Sequence, residues 1–199
     1  MIKNILVAAA MGAVAFSAQA NELSNGSFES NSLGGSEYCY GCSATDWNAS
    51  LLITANSSAW GNPSANDAAA FNLGTTVAGL QNTRTLSSDF TFVAGHTYEL
   101  TWDDAGRSGY DSQTYTVSAG GVTFANFGTS AGQAWSEHTE TFTATGAGAL
   151  TFAGHQTTDG TSFIDNVSVI TTAVPEPTSL LMMAIGTLGL LAWRRRAQV

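Results

Sequence analysis

"DFTFVAGHTYELTWDD", Asp89 to Asp104, alternates apolar and polar side chains in two runs about a bend. Phe90 and Phe92 alternate with Thr91. Tyr98, Leu100 and Trp102 alternate with Thr97, Glu99 and Thr101, and Ala94-Gly95-His96 separates the runs. Successive strand side chains point to opposite faces, so the stretch predicts a hairpin with one buried and one wet face. The form recurs downstream. Tyr115 and Val117 precede Gly120-Gly121, and Val122 and Phe124 follow it. Phe142 precedes a turn at Gly146–Gly148, with Leu150 and Phe152 after it. Phe163, Val167 and Val169 close the series, predicted to share one face. Upstream, "NGSFE" (Asn25–Glu29), "WNASLLIT" (Trp47–Thr54) and "AAAFNL" (Ala68–Leu73) read as strands, and the Gly- and Ser-rich stretch from Asn31 to Thr45 as a long loop. Seven or more short strands with regular turn signals predict an all-β fold, a single jelly-roll β-sandwich.

The two ends read differently. Lys3, the apolar run Ile5–Phe16 and Ala18-Gln19-Ala20 form a secretory signal with cleavage expected before Asn21. Residues 1–20 are thus expected to engage the Sec export machinery, and 21–173 to be the exported domain. That domain keeps two of the six bases, Arg84 and Arg107, and fourteen of the fifteen acids, for a net charge of 2 − 14 = −12. A surface so acidic repels phosphate backbones, so nucleic acid is not expected as a partner. It is compatible with neutral glycans and with divalent cations.

The chain closes on "VPEPTSLLMMAIGTLGLLAWRRRAQV", Val174 to Val199. A helix over Leu180–Trp193 covers about 21 Å at ~1.5 Å per residue, short of the ~30 Å hydrocarbon core. Arg194, Arg195 and Arg196 place its end on the cytoplasmic side, and Pro175 and Pro177 hold an extended segment outside.

Two resemblances follow from quoted residues. "NGSFE", "FTFVAGHTYELTW", "AWSEHTETFTATGAGALTF" and "FIDNVSV" (Phe163–Val169), in that order, resemble the galactose-binding-like jelly rolls that include many carbohydrate-binding modules. The tail resembles a PEP-CTERM sorting signal through Pro175, Glu176, Pro177 and Arg194–Arg196. The first resemblance implies association with extracellular polysaccharide. It also implies a structural Ca²⁺ held by Glu29 and Asp165. The second implies a partner, an exosortase-type membrane transpeptidase. The tail over 174–199, with membrane segment 179–193, would then be a transient inner-membrane anchor. The final location would be the outer surface or an extracellular, biofilm-type matrix.

Chemistry within the domain is sparse. Cys39 and Cys42, in an exported protein, are expected to form a disulfide. Gly128-Thr129-Ser130-Ala131-Gly132 fits G-x-S-x-G but lies between strands, not at a strand-to-helix elbow. His96, His138 and His155 show no metal-ligand spacing. A non-enzyme is expected. Sugar binding wants exposed aromatics beside polar groups, and Trp47, Trp60, Arg107, Tyr110 and Asp111 are the candidate contacts. Trp102, Tyr115 and Trp135 are expected in the core. The alternatives are a structural matrix protein without a small ligand and, ranked lower, an ice-binding protein or a glycan hydrolase.

Overall fold

The computed structural model describes residues 20–31, 33–42, 44–65 and 71–172. Residues 1–19, where the signal segment is expected, and 173–199, where the membrane segment and Arg194–Arg196 are expected, lie outside the described residues. Among the described residues no helix is long and apolar enough to cross a membrane.

Among the described residues eleven strands carry the fold: β1 Tyr38–Tyr40, β2 Trp47–Ala49, β3 Leu51–Thr54, β4 Thr76–Gln81, β5 Thr85–Ser88, β6 Thr97–Gly106, β7 Gln113–Ala119, β8 Val122–Thr129, β9 Ser136–Thr143, β10 Thr151–Gly154 and β11 Thr161–Thr171. They form a six-stranded sheet, β1-β3-β4-β11-β6-β9, and a five-stranded sheet, β2-β5-β10-β7-β8. Both sheets send apolar side chains into one main cluster. Tyr98, Leu100, Trp102, Ile164 and Val169 come from the first, and Leu86, Tyr115, Val117 and Phe152 from the second. The all-β sandwich follows from period-2 patterning on β7, β9 and the first half of β6, whose more buried side chains meet between the sheets.

Several local expectations change. Phe90 and Phe92 form no strand; the chain there crosses to the other sheet, and Phe92 N–H donates to Gly148 O (3.4 Å). Their rings instead close one end of the core against Tyr98, and Phe92 also meets Phe142. The hairpin about Gly146–Gly148 is likewise a sheet switch, because β9 belongs to one sheet and β10 to the other. "WNASLLIT" is two strands in different sheets, β2 and β3, with the corner at Ser50. Of "AAAFNL", only Phe71–Leu73 are described, and they are not strand. The Asn31–Thr45 loop contains β1, paired antiparallel with β3. The Gly120-Gly121 hairpin forms as expected between β7 and β8, with φ of 55° and 80° at the glycines.

"NGSFE" is a turn, not a strand: Phe28 N–H donates to Asn25 O, and both residues have positive φ. It presses on β11, where Val167 N–H donates to Gly26 O (2.9 Å). A Cβ at Gly26 would lie 1.9 Å from Val167 O. Gly26→Ala is therefore expected to cost about 1–3 kcal/mol through backbone displacement. Urea denaturation checks this, and an unchanged midpoint would refute the close approach.

A second apolar cluster sits on the outer face of the six-stranded sheet. It joins Leu51, Ile53, Val77, Ala105, Trp135 and Phe163 to Ala55 and Trp60, with Phe71 and Leu73 packed against it. Ala55, Trp60, Phe71 and Leu73 supply its cover, which sequence periodicity alone does not reveal. β11 serves both clusters. A bulge between Asp165 and Ser168, with Asn166 at φ 49°, leaves Phe163 facing the outer cluster and Val167 and Val169 the inner one. The three therefore do not share a face.

Candidate functional site

Three of the five candidate sugar contacts meet in one stack. The Arg107 guanidinium lies 3.9 Å from the Trp60 ring centroid and 3.4 Å from that of Tyr110. Tyr38 and Tyr40 meet the Trp60 edge at 5.8 and 6.0 Å. A polar chain closes the circuit. Tyr40 O–H donates to Gln81 Oε1 (3.0 Å), and Gln81 Nε2 donates to Asp159 Oδ1 (2.7 Å). Asp159 Oδ1 pairs with Arg107 Nη1 at 3.5 Å, and Arg107 Nη2 donates to Ala59 O. Arg84 covers Tyr40 at 5.2 Å. Asp111 is exposed beside this cluster, its N–H donating to Asp159 O.

Burial divides the candidates. Trp47 is 3% exposed in the inter-sheet core and donates from Nε1 to Ser24 O, so its ring offers no stacking face. Trp60, also 3% exposed, and Arg107 are scaffold beneath the surface. Tyr110, Tyr38 and Tyr40 are the exposed members, at 42–46%. From sequence the last two read as aromatics of an irregular segment, without a strand to place them. Their signal is the alternation about Cys39 in "YCY". Trp102, Tyr115 and Trp135 are buried as expected.

Two devices hold the tyrosine hairpin. Cys39 and Cys42 form the expected disulfide, closing the turn after β1. Glu37 accepts from Ser57 Oγ, Ser58 Oγ and Ala59 N, tying β1 to the turn that carries Trp60. The Ala59 and Ser57 hydrogen bonds hold the Glu37 carboxyl below its usual range. Replacing both cysteines by serine is expected to cost up to ~2 kcal/mol, because a four-residue loop closes little chain entropy. A melting comparison checks this; a loss well above that value would mean the bridge does more than close the turn.

Glu29 and Asp165 lie at the other end of the same sheet face. Glu29 accepts from Thr75 N, Thr75 Oγ1 and Thr76 N, each at 2.8 Å. Asp165 is fully buried; Oδ1 accepts from Asn166 N, and Oδ2 has no partner. Burial pushes its carboxyl up to about 8, with the Glu29 and Asp103 charges adding to the rise. Asp165 sits opposite Asp103, and Asp103 opposite Glu137, so three acids cross three strands in one row. Directly opposed like charges are destabilising. Desolvation raises the Asp103 carboxyl as well, against the hydrogen bond from Asn166. An orphaned carboxylate oxygen in an acidic row fits a hard, oxygen-seeking cation. Among the described residues no three His, Cys, Asp or Glu side chains converge as a metal cluster, so backbone oxygens would complete such a shell.

Two further features bear on catalysis. Ser136 Oγ and His138 Nε2 both meet Asp104 Oδ1, at 2.8 and 3.0 Å, so this serine addresses the carboxylate rather than the imidazole. Tyr115 O–H donates to Asp104 Oδ2 and Trp102 Nε1 donates to Tyr115, which makes Asp104 a cross-link between sheets. Ser130 of the G-x-S-x-G match follows β8 on a turn and not at a helix start. On the five-stranded sheet a groove of about 610 Å³ is lined by Thr114, Thr116, Ala125, Gly128 and His155 among others.

Residues 173–196 match the PEP-CTERM protein-sorting motif. No curated protein matches the chain. Among solved structures, TmCBM61 in complex with β-1,4-galactotriose is similar at 16% identity and a TM-score of 0.43, over 77% of this chain and 99% of its own. The module CBM4 is similar at 15% and 0.36, over 49% and 83%. A ruminal GH26 endo-β-1,4-mannanase is similar at 18% and 0.31, over 50% of this chain and 20% of its own.

Proposed function

We propose that this is an exported, exosortase-sorted surface protein that associates with extracellular polysaccharide through the Tyr38–Tyr40–Tyr110 cluster. One observation carries the binding part. Among the described residues four large hydrophobic side chains are exposed; three are these tyrosines, and they share one stack. Exposed aromatics clustered beside polar groups mark a binding surface, and tyrosine offers a sugar both a ring face and a hydroxyl. Binding of the purified protein to a glycan array, with a polysaccharide pull-down, tests the reading. Tyr38→Ala and Tyr110→Ala are each expected to weaken retention several-fold, while the protein stays folded at a cost of about 0.5–1.5 kcal/mol for the lost ring contact. Silence across both assays favours a structural matrix protein with no small ligand.

The sorting motif supports the route. The signal peptide is cleaved before Asn21, the tail anchors transiently with its arginines inside, and processing at the Pro-Glu-Pro side releases the domain outward. The mature protein is then expected to lack Arg194–Arg196, which intact-mass measurement checks; retention of those residues would make the tail an ordinary anchor. Glu29 and Asp165 are proposed to hold a structural Ca²⁺, whose charge would offset the acidic row. No catalytic role is proposed.

A further inference from the structure

Arg84 and Arg107 are the only Lys or Arg residues between Asn21 and Ala173, a stretch that holds fourteen acids. Both belong to the tyrosine cluster. Arg107 is buried there, and Asp159 already compensates its charge. Arg84 differs. It is exposed in the β4–β5 turn, its N–H donates to Gln81 O, and its guanidinium lies over Tyr40. Among the described residues no carboxylate pairs with it. The nearby acids are engaged: Asp159 with Gln81 and Arg107, and Glu37 with Ser57, Ser58 and Ala59.

We infer that the cluster selects a polysaccharide bearing carboxylate groups, such as uronate residues, with Arg84 as the group that recognises the carboxylate. The inference rests on the polysaccharide reading above and names its substrate class. A guanidinium presents a planar fork of donors that matches a carboxylate in two parallel hydrogen bonds. Stacking on Tyr40 orients that fork before the ligand arrives, which limits the side-chain entropy lost on binding. Tyr38 and the outer face of Tyr110 remain free for the sugar ring. The acidic remainder of the domain repels a polyanion at long range. That repulsion is largely screened beyond ~10 Å at 0.1 M salt, whereas a contact pair persists. The arrangement therefore admits an acidic chain at the arginine and disfavours it over the rest of the surface.

The test uses the full chain, purified in detergent, at about 0.1 M salt. Several acidic polysaccharides are each paired with their own carboxyl-reduced form, in which the carboxylate has become a primary alcohol. At least one acidic polymer is expected to bind about tenfold more tightly than its reduced partner, the loss typical of one charge-assisted hydrogen bond. Arg84→Gln is expected to abolish that preference, and Arg84→Lys to restore part of it, since a lysine keeps the charge but not the fork. Sulfated and phosphorylated polymers serve as further arms; equal retention of these would overturn carboxylate selection. Equal affinity for both members of every pair would overturn the substrate class and leave polysaccharide binding standing. A preference that survives Arg84→Gln would overturn the role of Arg84. No binding to any polymer would overturn both readings.

Discussion

In chelator, the protein is expected to lose thermal stability as pH rises from about 4 to about 8. The cause is Asp165, whose folded carboxyl is pushed from 3.8 up to about 8 by burial and by the Glu29 and Asp103 charges. The folded state holds this proton more tightly than the unfolded chain does. Stability is therefore full below the unfolded value and is lost as pH climbs through the folded one. Asp103, also raised, acts in the same direction. Glu37 acts oppositely in a separate window, since its lowered carboxyl contributes stability that is lost only as pH falls below its usual 4.5. Asp165→Asn is expected to remove most of the slope, because an amide stays neutral throughout. Calcium at about one hundred times its dissociation constant is expected to add ~2.7 kcal/mol to the wild type near pH 8 and flatten its profile. It is expected to do little for Asp165→Asn. Melting curves across pH, with calcium and with chelator, decide the matter. A flat profile in chelator would remove the buried-acid account, and an unchanged melt with calcium would remove the cation.

Trp60→Ala is expected to lower stability by about 3–5 kcal/mol and to abolish polysaccharide retention. The ring is 3% exposed, roofs the outer cluster, and carries Arg107 on its face with Tyr38 and Tyr40 at its edge. Its removal leaves a cavity and an arginine with one stacking wall. Trp60→Phe keeps an apolar roof and is expected to recover most of the stability but less of the binding, as the smaller ring cannot support both tyrosines and the guanidinium. Urea denaturation followed by circular dichroism, with pull-down in parallel, separates these effects. If Trp60→Ala binds as the wild type does, the tyrosines do not depend on the stack and the site is elsewhere, with the groove over β7 and β8 the next place to look.

The pH effect has a sequence-level trace in "NGSFE" and "FIDNVSV", but its size does not. Asp165 is perturbed because the folded sandwich buries it completely, with the Glu29 and Asp103 charges adding to the rise. Among the candidate sugar contacts, Arg107 and Tyr110 were legible as a polar loop with an aromatic. Tyr38 and Tyr40 read only as aromatics of an irregular stretch, since the alternation in "YCY" spans three residues of an edge strand.

Local alternation determined the fold class, since period-2 patterning on β7, β9 and the first half of β6 permits little except strands with one more buried face. The chain's own residues likewise determined its charge and its two cysteines, and they carry the sorting motif at 173–196. Tertiary structure decided which strands are neighbours. Phe92 and Phe142 read as hairpin arms, yet each precedes a crossing between sheets, because a side chain's face is local while its partner is chosen by packing at long range. The same limit governs the site. Arg84, Arg107, Trp60 and Tyr40 lie on four separate segments, and only the folded sandwich stacks them together.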